Sequence, residues 1–237
     1  MTSESALAEL ELELTWRVEE LKDLRNIVAV VSDNAVKEIY RKALVVMLYS
    51  HVEGFCKGAL TVYVSFIINA RLRLSEVEPA IAAIALDKLF SALGSGHVED
   101  TGLGWRFDKT SVGVSEARFR RMEFVERWNE FLMGTCVLDA ERVVDTESNL
   151  HASVLRKLLF SLALPTDVAD RHSSALGRLV RDRNNFAHGI KKAGLSALEY
   201  EAVEGPILVA MSDIKAVVGD AIIRRVFERA DPFVPGG

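Results

Sequence analysis

The sequence predicts an all-α protein: an antiparallel bundle of long helices with one glycine-rich loop. Three observations carry that expectation. Apolar residues recur at spacings of three, four and seven through most of the chain, the stripe of a half-buried helix. Alternating β patterns are nearly absent. Only five prolines punctuate 237 residues, so long helices are permitted. With 49% hydrophobic and 27% charged residues, the chain has the profile of a folded protein, and it is long enough to bury a core without disulfides or metals. The expected organisation is a single domain over residues 1–237.

The elements come in order. Ala6 to Val31 carries Leu7, Leu10, Leu14, Leu21, Leu24 and Val28 on one helical stripe. Ser32-Asp33-Asn34 reads as a turn with an N-cap for the next helix. Ala35 to Arg73 reads as one very long helix, with Gly54 or Gly58 as candidate bends. Ser75 opens a further helix through Pro79 to Leu93. Gly94 to Val114 holds five glycines and no helical period, which predicts a long loop. Arg118 to Met133 is helical again, and Asp145 to Leu150 is a polar connector. Ala152 to Leu164 is a helix stopped by Pro165. Ala169 to His188 is the next, with Leu176, Leu179, Val180 and Phe186 apolar and Gly189 as its terminating glycine. Leu195 to Arg229 is the last, with a candidate break at Gly205-Pro206. Residues 230–237 read as a frayed tail.

Several function classes are excluded. Ala43 to Ala70 is apolar and long enough to span a bilayer, but His51, Glu53 and Lys57 interrupt it, and two charges at a bilayer centre are costly. It reads as a central core helix, and no membrane association is expected. Two cysteines, Cys56 and Cys136, form neither a disulfide framework nor a zinc pattern, and Cys56 reads as a small buried residue. The N-terminal stretch is acidic and amphipathic, unlike a signal peptide. The expected location is the cytoplasm. GSGHVE lacks the third glycine of a dinucleotide loop, and no strand precedes it. His51-Val52-Glu53 has no P-C-x-x-C to complete a deaminase zinc site. No cofactor and no metal site are expected. A net charge of −5 argues against a surface that grips nucleic acid everywhere, while leaving room for a local basic patch.

Such a patch is legible at RDRNNFAHGIKK, Arg181 to Lys192. Between Arg171 and Lys192 six cations, Arg171, Arg178, Arg181, Arg183, Lys191 and Lys192, stand against one acid, Asp182. Polyanion contact needs that concentration of charge. Arg183 and His188 lie five residues apart. On a straight helix they would point about 140° apart and sit about 7.5 Å apart along the axis. Either the helix ends between them, or a second copy of the chain completes the site. A histidine near neutrality serves as general base or acid. An arginine holds a phosphate and offsets developing charge. With RNA the 2′-hydroxyl is a nucleophile already present in the substrate, so no metal is required. The same residues also suit an ordinary helix stop.

Arg183-Asn184-Asn185-Phe186-Ala187-His188-Gly189 resembles the R-x(4–6)-H motif of the HEPN superfamily, in which a polar residue commonly follows the arginine. LYSHVEGFCKGAL resembles that family's earlier helix with a glutamate and an aromatic. DTESNLHASVLRKLLFSLAL with LGRLVRDRNNFAHG resembles the HEPN-like nuclease and toxin branch (RiboL-PSP-HEPN type). The resemblance runs from about Val18 to Arg229. It implies a HEPN-like bundle that forms a homodimer with both motifs in one cleft, and a metal-independent endoribonuclease of a toxin–antitoxin or anti-phage defence system. By position, Arg183 and His188 would be the catalytic pair and Asn184 the polar residue that orients them. Arg178, Arg181, Lys191 and Lys192 are the RNA-binding candidates. Glu53 matches the helix-borne acid and either hydrogen-bonds to the motif or pairs with Lys57. RNA is the expected substrate, and an antitoxin or defence-system protein the expected partner. The position where some HEPN toxins carry a modifiable tyrosine is Ile190. An inactive HEPN module that binds RNA or a nucleotide, and a structural, antitoxin-like helical partner, are the competing readings.

Other residues have plainer expectations. His51 reads as a core or interface histidine and His97 as solvated, and His151 and His172 flank helix starts. Trp16, Trp105 and Trp128 read as packing anchors. Glu11, Glu13, Glu19 and Glu20 read as a solvated face.

Overall fold

The computed structural model describes residues 1–95, 116–147 and 149–231. His97, Trp105, most of the expected glycine-rich loop and residues 232–237 of the expected tail lie outside the described residues. The described helices are α1 (Ser3–Val30), α2 (Asn34–Ala70), α3 (Pro79–Ala85), α4 (Asp87–Ser95), α5 (Glu116–Glu126), α6 (Trp128–Met133), α7 (Ala140–Val143), α8 (Ala152–Ser161), α9 (Asp167–Arg171), α10 (Ser173–Ala187) and α11 (Ala197–Arg224). There is no strand among the described residues, only two isolated bridges, Arg73 with Thr135 and Val77 with Glu228. The chain is all-α, as its periodicity predicts.

Two compact units form: Met1–Phe66 with Ala140–Arg225, and Ile67–Asp139 with Val226–Gly237. In the first, ion pairs fix helix direction. Glu11 meets Lys215 at 2.6 Å and Arg25 meets Glu204 at 2.9 Å, so α1 and α11 run antiparallel. Arg17 lies beside Gly54, and Glu20 lies 3.1 Å from His51, so α1 and α2 are antiparallel as well. Leu10, Leu14, Leu21 and Val28 form the buried stripe of α1. Asp33 accepts from the Ala35 and Val36 amides at the start of α2. Ser196 and Glu199 close a capping box at the start of α11, which satisfies two otherwise orphaned amides.

The apolar stretch Ala43 to Ala70 lies in α2, with Val45, Leu48, Val52, Phe55, Ala59, Leu60, Tyr63 and Val64 buried. No described helix is long and apolar enough to cross a membrane. The helix continues through Gly54 and Gly58, and both glycines make room for α1. A Cβ at Gly58 would collide with the Glu13 carboxylate, and one at Gly54 would press on the Arg17 guanidinium at 3.3 Å. Arg17 is 8% exposed and donates to the Glu13 carboxylate and carbonyl, both at 2.6 Å. A charge this buried must be paired. The acidic face of α1 is therefore more than solvated: Glu11, Glu13 and Glu20 face Lys215, Arg17 and His51.

Pro206 sits inside α11, which continues through it. A proline has no amide to give the carbonyl four residues back, here that of Ala202. Arg178 supplies the missing donor at 3.1 Å. The expected helix Ala169 to His188 divides at His172, whose Nε2 lies 2.8 Å from Asp213 on α11.

In the second unit Pro79 opens α3 at its first turn, where its missing amide costs nothing. Gly94 and Ser95, expected to begin the loop, close α4 instead. The expected helix Arg118 to Met133 divides at Arg127, which pairs with Glu123 and Glu130. Phe124 packs on Phe90, Trp128 and Phe131 at centroid distances of 5.2–6.1 Å.

The α1–α2 contact generates two stability predictions. Gly58→Ala gains helix propensity of about 1 kcal/mol but displaces Glu13 from a buried arginine, and overpacking costs about 1–3 kcal/mol. Denaturant unfolding should show net destabilisation, whereas Gly177→Ala, with nothing within 4 Å of its Cβ, should stabilise by about 0.5–1 kcal/mol. Burial holds the His51 imidazole below its ordinary range, Glu20 opposing and Arg17 reinforcing. The unfolded chain then binds this proton more readily, so the contribution is present above about pH 6.5 and is lost as pH falls below it. His51→Leu should flatten the fall in unfolding free energy between about pH 6.5 and 5.

Candidate functional site

Helix α10 ends at Ala187, between Arg183 and His188. His188 is the C-cap, and Gly189 comes next with φ 68°, the left-handed conformation that suits glycine. The His188 amide still bonds the Asn184 carbonyl at 3.0 Å, and Lys191 N–H donates to Asn185 at 3.1 Å. The chain therefore leaves the helix through a bonded turn that leaves the His188 side chain exposed.

Arg183 is half-buried. Its guanidinium carbon lies 3.9 Å from the centroid of the Tyr49 ring on α2, and one of its nitrogens donates to Asn184 Oδ1 at 2.9 Å. A partly desolvated guanidinium over an aromatic face gains about 0.5–2 kcal/mol. Tyr49 is itself held. Its hydroxyl accepts from the Leu150 amide at 2.9 Å, and burial pushes its pKa up against the lowering pull of Arg183. One turn along α2, Glu53 accepts from the Thr146 hydroxyl at 3.1 Å. That contact is neither of the two expected for Glu53: its partner Thr146 belongs to the connector.

The basic candidates separate. Arg178 bonds the Ala202 carbonyl on α11 and lies 3.6 Å from Asp182, one turn on along α10. It lines a cavity of about 370 Å³ with Arg171, His172, Ser174 and Pro206. Arg171 is matched by Asp167 and Asp213. Arg181 is exposed on α10. Beyond the helix, Lys191 lies 5.5 Å from the Phe186 ring centroid, and Lys42 of α2 lies at the same distance. Lys42 also donates to the Lys192 carbonyl at 3.2 Å.

Sequence reasoning missed Tyr49 and Lys42. A signal was available, because Lys42, Tyr49 and Glu53 stand at i, i+7 and i+11, within about 20° of one line on a helix. The remaining candidates have structural surroundings. His51 is buried edge-on to Trp16 at 5.5 Å. The Cys56 and Cys136 thiols are pushed up by burial to about 12 and about 11.

Tyr49→Phe keeps the ring under Arg183 but removes the acceptor of the Leu150 amide. Leaving a buried donor unsatisfied costs about 1–3 kcal/mol. Urea unfolding of this variant should show a loss of that size.

The MAE_28990-like HEPN family model matches residues 6–227, nearly the whole chain. No curated protein and no solved structure matches. An all-α chain, with an arginine set against an aromatic of the long helix and a histidine at the following helix end, thus belongs to the HEPN superfamily.

Proposed function

We propose that this protein is a metal-independent endoribonuclease with Arg183 and His188 as its catalytic pair. HEPN membership itself points to a nuclease-like or RNA-binding module. The observation that carries the finer reading is the contrast between two side chains of one motif. Arg183 is half-buried, stacked on Tyr49 and bonded to Asn184, while His188 is exposed at a helix end. A fixed cation and an accessible imidazole are the two parts that 2′-hydroxyl chemistry requires.

In the proposed reaction His188 takes the proton of the 2′-hydroxyl, and the 2′-oxygen attacks the adjacent phosphorus. The bond to the 5′-oxygen breaks, and that oxygen takes a proton from solvent water, while His188 returns the proton it accepted to solvent. The products are a 2′,3′-cyclic phosphate and a 5′-hydroxyl. Arg183 holds the scissile phosphate and offsets the charge that develops on it. Asn184 fixes the guanidinium, and Glu53 supports the α2 face beside it. Arg181, Lys191 and Lys192 bind the RNA. Arg178 is the weakest of the proposed contacts, because Ala202 and Asp182 already engage it. We further propose a cytoplasmic homodimer that works as a toxin or in anti-phage defence, with an antitoxin or defence protein as partner.

The competing reading is a HEPN module that binds RNA or a nucleotide without cutting it. The existing engagement of Arg183 by Tyr49 and Asn184 favours it to that extent. Expression in a bacterial host separates the two. Wild type should arrest growth and shorten RNA to fragments with 5′-hydroxyl ends. His188→Ala should do neither, and with purified protein and chelator present its cleavage rate should fall by about 10²–10⁴-fold. Equal effects from both proteins would replace the nuclease with the binding module.

A further inference from the structure

We propose that Lys42 of α2, with Lys191 and Lys192 after α10, forms a phosphate track for a single RNA strand running from the Arg183–His188 motif. The inference rests on the RNA reading above and extends it to residues on a different helix. Residues 190–196 are strapped to the N-terminal half of α2. The Leu195 amide donates to the Glu38 carbonyl, and Arg41 donates to the Leu195 carbonyl, both at 3.1 Å. Lys42 donates to the Lys192 carbonyl at 3.2 Å. Gly194 lies so close to Glu38 that a Cβ there would collide with the Glu38 side chain. A strap fixed at three points sets where Lys191 and Lys192 emerge.

The consequence is electrostatic. The Lys42 and Lys191 ammonium groups each lie 5.5 Å from the same Phe186 centroid. They are therefore no more than about 11 Å apart, close to a Debye length of about 8 Å in physiological salt. Among the described residues no carboxylate lies within ion-pairing distance of Lys42, Lys191 or Lys192. Glu199 registers the charge of Lys191, but its first partner is Ser196, whose cap it closes. Glu38, one turn before Lys42, lies against Gly194 without an ion pair to these lysines, and like charges gathered in this way are relieved by an external anion. Lys42 stands seven residues before Tyr49, about 10 Å along α2, and Tyr49 carries Arg183. A line of cations running from the motif suits a chain of phosphates better than one phosphate.

The test is salt-dependent binding of a short oligouridylate, measured in a His188→Ala background so that the strand stays intact. Each phosphate contact contributes about 0.7 to the slope of log K against log salt for a single strand. Lys42→Gln should lower the slope by about 0.7, and Lys42→Gln with Lys191→Gln by about 1.4, while Lys42→Arg leaves it unchanged. A merely structural role would weaken binding without changing the slope. Lys191→Gln alone leaves the Lys42 strap bond in place and guards against a folding effect. Unchanged slopes in a protein that binds and, with His188 restored, cleaves RNA would overturn the track and spare the nuclease. Lowered slopes without cleavage when His188 is restored would keep the track and remove the nuclease. No binding at about 50 mM salt would overturn both.

Discussion

Arg183 is held half out of water, and the groups that replace its lost hydration also set the geometry around it. The Tyr49 ring lies under the guanidinium at 3.9 Å, and Asn184 accepts one of its N–H groups. The ring in turn is pinned by the Leu150 amide on its hydroxyl, and Glu53, one turn on, takes the Thr146 hydroxyl. Helix α2 is thereby joined to α10 once and to the connector before α8 twice. Each of these contacts contributes only about 1 kcal/mol. Their shared effect is directional: the arginine cannot turn away from the helix end without uncovering a buried ring and its hydrogen bond.

That arrangement needs a rigid α2, and the packing of α1 supplies one. Two glycines four residues apart give α1 close approach, and the space they leave holds a buried arginine on its own carboxylate partner. Breaking one side of such a pair costs more than the pair itself contributes, which favours one register of α1 on α2. The same face buries His51 against Trp16 and Glu20. The α1–α2 contact is therefore selective as well as apolar, and it lies within about three turns of Tyr49 along α2.

The long helices were legible because their stripes span many turns, and the ends of α1, α2, α10 and α11 fall close to their caps and breakers. The short irregularities were not legible. His172, Arg127 and Leu86 each leave helical geometry singly, and nothing local in the sequence marks them. At His172 the observed partner, Asp213, is 41 residues away. Gly54 and Gly58 suggested a bend because a glycine weakens a helix on its own, whereas here they admit a neighbour. Pro206 suggested a break because the donor that replaces its amide belongs to Arg178, on another helix. At the site, the motif was readable as a contiguous string. Tyr49 and Lys42 share one line of α2 with Glu53, but their meaning comes from contacts with residues far along the chain, Arg183 and Lys192.

Charge along α10 divides for the same reason. Counted in sequence, its cations form one patch. In space, Arg171 at the end of α9 is matched by Asp167 and Asp213, and Arg178 of α10 by Asp182 and a carbonyl that proline has released. Arg171 joins α9 to α11, and Arg178 joins α10 to α11. Beyond the last turn the carbonyl end of the helix favours cations, and Gly189 turns the chain back so that Lys191 and Lys192 arrive beside Lys42. The part of α10 that faces α11 thus uses Arg178 to close the bundle, and the part that ends at His188 gathers positive charge from two elements. A net acidic chain can present a polyanion with a localised field in this way, because the matched cations hold the fold and the remainder lie where the helix stops.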